Sequence, residues 1–179
     1  FERRNARLIQ TWLLQSLLIS AFAGTSDRTI TQARAAIRES LKLDRNFPTE
    51  KLFEALGRNG RLARLDERGI EEVLQLQYKS SKCFFALSLL YENLDWGGTQ
   101  YHVDHIIPHS HADRRRLMSA NISEHRIKAI MASVDRIGNL QLLPASENLE
   151  KSDMPFDTWM QTRDGHYLKR HYIPDVVDD

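Results

Sequence analysis

Four side chains carry polar chemistry at spacings that one site can use: Asp104, His105, Asn139 and Asn148. Asp104 and Asn148 offer hard oxygen donors, which suit Mg²⁺ or Mn²⁺ rather than zinc. His105 stands beside the acid, and an imidazole is the side chain that takes a proton from water near neutral pH. A divalent ion held by two protein oxygens keeps positions open for a phosphate oxygen and stabilises a leaving oxygen. The set therefore describes metal-assisted hydrolysis of a phosphodiester. Asn139 reads as a brace, its amide bonding across a loop to hold two strands in place.

Three short elements must bring these residues together. Tyr101 to Pro108 is β-branched and ended by proline, so it reads as a strand running into a loop. Gly138-Asn139 is a corner followed by the alternating Leu140-Gln141-Leu142-Leu143, a second strand. After Pro144, Ser146 is the expected N-cap of a short helix through Glu147–Ser152. Taken singly, a His beside an Asp is an ordinary surface pair and an Asn after Gly an ordinary turn residue. Their ordered arrival is what argues for a site. In a regular strand Asp104 and His105 face opposite sides, so sharing one site requires the strand to end or bulge there.

The order Asp-His-Ile-x-Pro, Gly-Asn-Leu-x-Leu-Leu, Asn-x-x-Lys-Ser resembles the HNH (ββα-metal) nuclease superfamily. More closely, it is similar to the C-terminal nuclease domain of GmrSD-type modification-dependent restriction enzymes. The phosphorothioate-sensing phage-defence protein SspE belongs to the same likeness. The resemblance implies that His105 is the general base, that Asp104 holds the metal, Mg²⁺ or Mn²⁺, and that Asn139 is the middle letter of the motif. The third letter falls on Asn148, as a second metal ligand and catalytic residue. The 34 residues from His105 to Asn139 exceed a minimal motif, so an inserted helix is expected, capped by Ser123, over Glu124–Val134, with Ile127, Ile130, Met131 and Val134 as its buried face. Arg114, Arg115 and Arg116 are the expected DNA-backbone contacts, reading no sequence; a solvated loop is the plain alternative. Lys151 shares the face of Asn148 and is a further candidate for a phosphate, although a surface lysine is its ordinary role. His109 and His111 could ligate at i, i+2, but solvent- or DNA-facing positions are commoner for loop histidines.

A net charge of +1 on 179 residues leaves no global field for nucleic acid, so a DNA surface must be a local patch. Hydrophobic content of 41% and charged content of 27% are those of a globular protein. The single cysteine, Cys83, excludes an internal disulfide and a cysteine zinc cluster, and fits a reducing cytoplasm and a buried position. The first residue is Phe1 rather than Met, which suggests a piece of a longer protein.

Residues 1–95 read as a helical layer and 96–179 as the motif with its inserted helix and C-terminal helices. The fold class is mainly α with a small ββα-metal insert, α+β. Arg4–Phe22 is interrupted by Arg7, Gln10, Thr11, Gln15 and Ser16, too polar and short for a membrane span, which needs about 20 apolar residues. It reads as a core helix ending at Gly24. Thr25-Ser26-Asp27 caps a second helix with Ile30, Ala33, Ile37 and Leu41 on its apolar face. Pro48-Thr49 opens a third through Leu52, Phe53 and Leu56, stopped by Gly57 and Gly60. Arg58, Arg61, Arg64 and Arg68 form a basic, loop-like stretch. Asp66 caps a fourth helix with Ile70, Val73 and Leu74; a fifth spans Ser81–Asn93 with Phe84, Leu87, Leu90 and Leu94. Trp96-Gly97-Gly98 turns into the motif. Trp159, Tyr167 and Tyr172 are expected to pack behind the Asn148 helix, and Asp175–Asp179 is an acidic tail.

The helical layer, through Leu13-Leu14-Gln15-Ser16-Leu17-Leu18 and Gly24-Thr25-Ser26-Asp27, resembles the segment that precedes the nuclease motif in the same defence family. That likeness implies an N-terminal NTPase, modification-sensing domain as a partner in the same protein. No Gly-rich phosphate loop occurs here to perform it. The whole reading is a metal-dependent HNH endonuclease nicking phage or foreign DNA, with no membrane partner. The reading from another class is a nucleic-acid-binding or regulatory interaction module with a non-catalytic HNH fold.

Overall fold

Apolar residues recurring every three to four positions place a stripe on each of the first three helices. Helix α1 spans Glu2–Leu18, α2 Ser26–Leu43 and α3 Thr49–Gly57. Trp12, Ala33, Leu52, Phe53 and Leu56 share one buried cluster, with the rings of Phe22 and Phe47 edge-on to Trp12 at 6.0 and 5.7 Å. Helix α1 closes at Leu18, ahead of the Gly24 read from sequence. Ser20 adopts a φ of 56°, and the amides of Ser20 and Ala21 bond back to the carbonyls of Leu17 and Ser16, a Schellman closure made without glycine. On α2 the buried positions are Thr29, Ala33 and Ser40, whereas Ile30 and Leu41 are exposed. Small residues on that stripe let α2 and α3 approach closely.

The computed structural model describes residues 2–23, 26–43, 46–57, 65–91, 94–95 and 97–174, without the side chains of residues 2 and 26. The Gly24-Thr25 boundary, the arginines at 58, 61 and 64 with Gly60, Asn93, Trp96 and the acidic tail 175–179 lie outside the described residues. Chain contacts divide the molecule into two units, Phe1–Val73 and Leu74–Asp179.

Asp66 caps α4 (Glu67–Leu74), its Oδ1 accepting the Gly69 N–H at 2.8 Å. The apolar face read for α4 is not buried: Ile70 and Leu74 are exposed. Helix α5 (Ser81–Leu90) contributes buried Cys83, Ala86 and Leu87 and packs on the second strand. The Cys83 thiol donates to the Gln77 carbonyl, and burial pushes its pKa up, so it is held as a thiol rather than a nucleophile.

Strands β1 (Tyr101–His105) and β2 (Leu140–Pro144) pair antiparallel, from Tyr101 opposite Pro144 to His105 opposite Leu140. Helix α8, which follows α6 and α7 below, spans Ala145–Lys151 and packs against both strands, completing a ββα unit. Pro144, not Ser146, stands at its N-cap, because the proline supplies the extended entry and needs no N–H bond there. Between the strands lie a 3-10 turn at His109–Ala112 and two helices, α6 (Arg114–Ser119) and α7 (Glu124–Ser133), where the sequence suggested one. The missed helix has a legible start: Asp113 accepts the N–H groups of Arg115 and Arg116 at 3.0 and 3.2 Å. Ser123 sits at the N-cap of α7 without a side-chain bond. Ile127 and Val134 are buried while Met131 is exposed, so the apolar face of α7 is narrower than read. Helices α9 (Phe156–Gln161) and α10 (Tyr167–Arg170) bring fully buried Trp159 and Tyr167 onto Leu143, whereas Tyr172 is exposed. The protein is mainly helical with one small two-stranded sheet. Among the described residues no helix is long and apolar enough to cross a membrane.

Candidate functional site

Strand alternation decides what each neighbour at the end of β1 meets. Asp104 lies opposite Gln141 in the register. Its Oδ2 accepts from Gln141 Nε2 at 3.0 Å and pairs with the Lys151 ammonium at 3.0 Å. Lys151 also donates to the His105 carbonyl at 2.6 Å, and its side chain has 0% exposure. Lys151 is thus neither the phosphate contact nor the surface lysine read from the sequence: α8 turns it inward, and a charge taken out of water needs these partners. Asn148 sits nearly one turn earlier on α8 and meets the same strand, its Nδ2 3.1 Å from His102 Nδ1.

His105 turns the other way. Its Nε2 lies 2.8 Å from Asp135 Oδ1. Its ring is 4.4 Å from that of Tyr78 and 5.9 Å from that of His109. His109 Nε2 stands 3.7 Å from the second Asp135 oxygen. The ladder pairs Asp104 with Gln141 and His105 with Leu140 without a bulge, so acid and imidazole occupy opposite sides of the strand, at its last two residues.

Asn139 ties the loops that frame His105. Its Oδ1 accepts the Ile107 N–H at 2.9 Å, and its Nδ2 donates to the carbonyls of Ile107 and Val134, each at 2.9 Å. The arginines occupy the first turn of α6 rather than a loop. Arg114 pairs with Glu124 at 2.8 Å, while Arg115 and Arg116 are exposed and make no ion pair with a described residue. His109 and His111 lie in the 3-10 turn.

Behind Asp104 the bonding continues inward. Tyr167 O–H donates to Gln141 Oε1 at 2.9 Å, and Trp159 Nε1–H donates to the Tyr167 oxygen at 2.9 Å. Burial, the largest influence, pushes the Tyr167 hydroxyl pKa up and keeps it a donor. The Arg163 guanidinium lies 3.9 Å from the Trp159 ring centre. Gln141 had a readable signal, as a polar residue amid leucines on a strand. Asp135 and Tyr78 had none, since both reach His105 through distant segments.

For a cation, the useful donors are hard oxygens at the seam of β1 and α8. No described residue bonds Oδ1 of Asp104 or Oδ1 of Asn148. A few protein oxygens, with water and phosphate completing the shell, suit Mg²⁺. Among the described residues no group of three His, Cys, Asp or Glu side chains is arranged to hold a metal ion, the kind of set zinc requires. Lys151 shares the Asp104 carboxylate with any ion held there.

A family model, the C-terminal domain of GmrSD restriction endonucleases, matches residues 64–175 and so spans both strands, α8 and the inserted helices. No curated protein matches the chain. A match over more than half of the chain, on the part that carries the ββα unit, makes it a member of the GmrSD restriction endonuclease C-terminal domain family, a nuclease domain of the restriction type.

Proposed function

We propose that the chain hydrolyses DNA phosphodiesters with the help of a divalent ion, one strand at a time, as the effector of a bacterial phage-defence or modification-dependent restriction protein. The observation that supports this most is the ββα unit itself, with Asp104 and Asn148 at one seam and His105 at the strand end. Asp104 and Asn148 would hold Mg²⁺ or Mn²⁺, which supplies positive charge to the phosphate oxygens when bound. His105 takes the proton of a water whose oxygen bonds to phosphorus. The bond to the leaving sugar oxygen breaks, and that oxygen takes a proton from solvent. Asn139 keeps the loops around His105 in place, and Arg114, Arg115 and Arg116 meet the DNA backbone. Lys151 neutralises Asp104 and keeps it in line with α8. One such site per chain cuts one strand, so a nick is the product.

The Lys151–Asp104 pair also favours a second reading, a DNA-binding module that has lost its ion. One experiment separates the two: plasmid incubated with the chain in Mg²⁺, Mn²⁺, Ca²⁺ or EDTA, beside His105→Ala and Asn148→Ala. Nicking in Mg²⁺ or Mn²⁺ that both variants lose by at least about 100-fold supports catalysis. A gel shift equal in EDTA and Mg²⁺, with plasmid intact, supports the module.

A further inference from the structure

We propose that Asp135 is a positioning residue for His105: it fixes the imidazole as the Nε2–H tautomer and leaves Nδ1 as the proton-accepting nitrogen. Its catalytic use rests on the nuclease reading above; its geometry does not. A carboxylate only accepts hydrogen bonds, so at 2.8 Å from Asp135 Oδ1 the Nε2 atom must be the donor. No described residue bonds Nδ1, the nitrogen that then carries the lone pair. The same logic orients histidines in other acid–base sites, where a carboxylate on one ring nitrogen sets the role of the other.

The backbone makes this contact more than a chance surface pair. The Tyr78 N–H donates to the Asp135 carbonyl at 2.7 Å, and the Ile137 N–H donates to the Leu76 carbonyl at 2.9 Å. Gln77 and Arg136 form an isolated antiparallel bridge between these bonds. One short backbone pairing therefore delivers both the Tyr78 ring, 4.4 Å from His105, and the Asp135 carboxylate. The ring itself is only 12% exposed, so it cannot swing free, while Asp135 at 44% keeps contact with water. A half-exposed carboxylate contributes little to stability. Its consequence is orientation.

Two measurements on the 179-residue chain test this. In ¹⁵N-histidine-labelled protein at mildly alkaline pH, with His105 assigned by difference from His105→Ala, long-range ¹H–¹⁵N spectra report the tautomer. The parental chain should show Nε2–H at His105, and Asp135→Ala should show a mixture; Nδ1–H in the parent, or an unchanged spectrum in the variant, overturns the proposal. In plasmid nicking at saturating Mn²⁺, Asp135→Ala should lower kcat by about 10- to 100-fold, the usual effect of losing a supporting carboxylate. KM for DNA and the melting temperature should hold, and Asp135→Glu should recover part of kcat. Full activity in Asp135→Ala, with His105→Ala inactive, refutes the positioning role and leaves the nuclease reading intact. No nicking by the parent refutes the nuclease reading, and the spectra still decide the tautomer. Asp135→Leu, which fills the same space without a hydrogen-bond acceptor, replaces Asp135→Ala in both measurements if the alanine variant does not fold.

Discussion

Asp104 and His105 are shielded to almost the same degree, with side chains 11% and 12% exposed, but the groups that shield them differ. Asp104 rests on Lys151 at 0% exposure and on buried Gln141, with Tyr167 and Trp159 behind. His105 rests on Asp135 at 44% and His109 at 65%. A carboxylate in a water-poor seam requires permanent partners, and the β-sheet register with α8 supplies them. The groups beside the His105 imidazole, Asp135 and His109, keep contact with water. Adjacent residues on one strand thus differ in their surroundings: the inward side meets buried partners, and the outward side is open to water at Asp135 and His109.

The comparison breaks most directly at Lys151. Lys151→Met keeps the aliphatic stem but leaves Asp104 with an uncompensated charge, a change expected to destabilise the Leu74–Asp179 unit by about 3–5 kcal/mol. Urea denaturation followed by near-ultraviolet circular dichroism measures this. Adding Asp104→Asn to the same chain should restore much of the loss, because the buried charge goes with it. A loss under about 1 kcal/mol, the value for an exposed pair, would mean that water reaches Asp104 and that the two sides do not differ.

The two sides were unequally legible in the sequence. Both strands, the helix after Pro144 and the helices at Trp159 and Tyr167 follow from alternation, proline punctuation and apolar spacing, which are local signals. The end of α1 was misplaced because Ser20 adopts a left-handed φ that glycine usually supplies. Helix α6 was missed because Arg114-Arg115-Arg116 resembles a charged loop, although Asp113 was its cap. The inward turn of Lys151 was hidden for a related reason: lysine is read as surface unless its partner is known, and Asp104 lies 47 positions away. Asp135 is 30 positions from His105, and only the backbone pairing at Tyr78 brings them together.

Acid provides a milder attack on the buried side. His171 stacks on Tyr167 at 4.2 Å and accepts the Tyr91 O–H at Nδ1, 2.9 Å away. Burial keeps that hydroxyl protonated, its pKa pushed up to about 12. Burial first, and then the charge of Arg170, push the His171 pKa from 6.5 down to about 4. Between those values the unfolded chain binds a proton that the folded chain refuses. Stability is therefore full above pH 6.5 and falls as pH drops toward about 4. The loss is at most about 3 kcal/mol, and less where water reaches the ring. Melting curves across this window should show the decline, and His171→Phe should flatten it. An undiminished decline in His171→Phe would place the acid-sensitive group elsewhere.

The smallest effect is expected on the open side, at Asn139. Asn139→Ala removes the bonds to the Ile107 N–H and to the carbonyls of Ile107 and Val134. The backbone bond from Ile106 N–H to the Asn139 carbonyl survives, at 2.8 Å. Ile107 is exposed, so water can replace the lost partners there, and the cost should be about 1–2 kcal/mol. The variant should melt only a few degrees lower, while nicking falls by a larger factor, because the loops that frame His105 gain freedom. If Asn139→Ala instead destabilises as much as Lys151→Met, the open side is as tightly built as the buried one. The division between an acid held by buried partners and an imidazole held by water-exposed ones would then have no energetic basis.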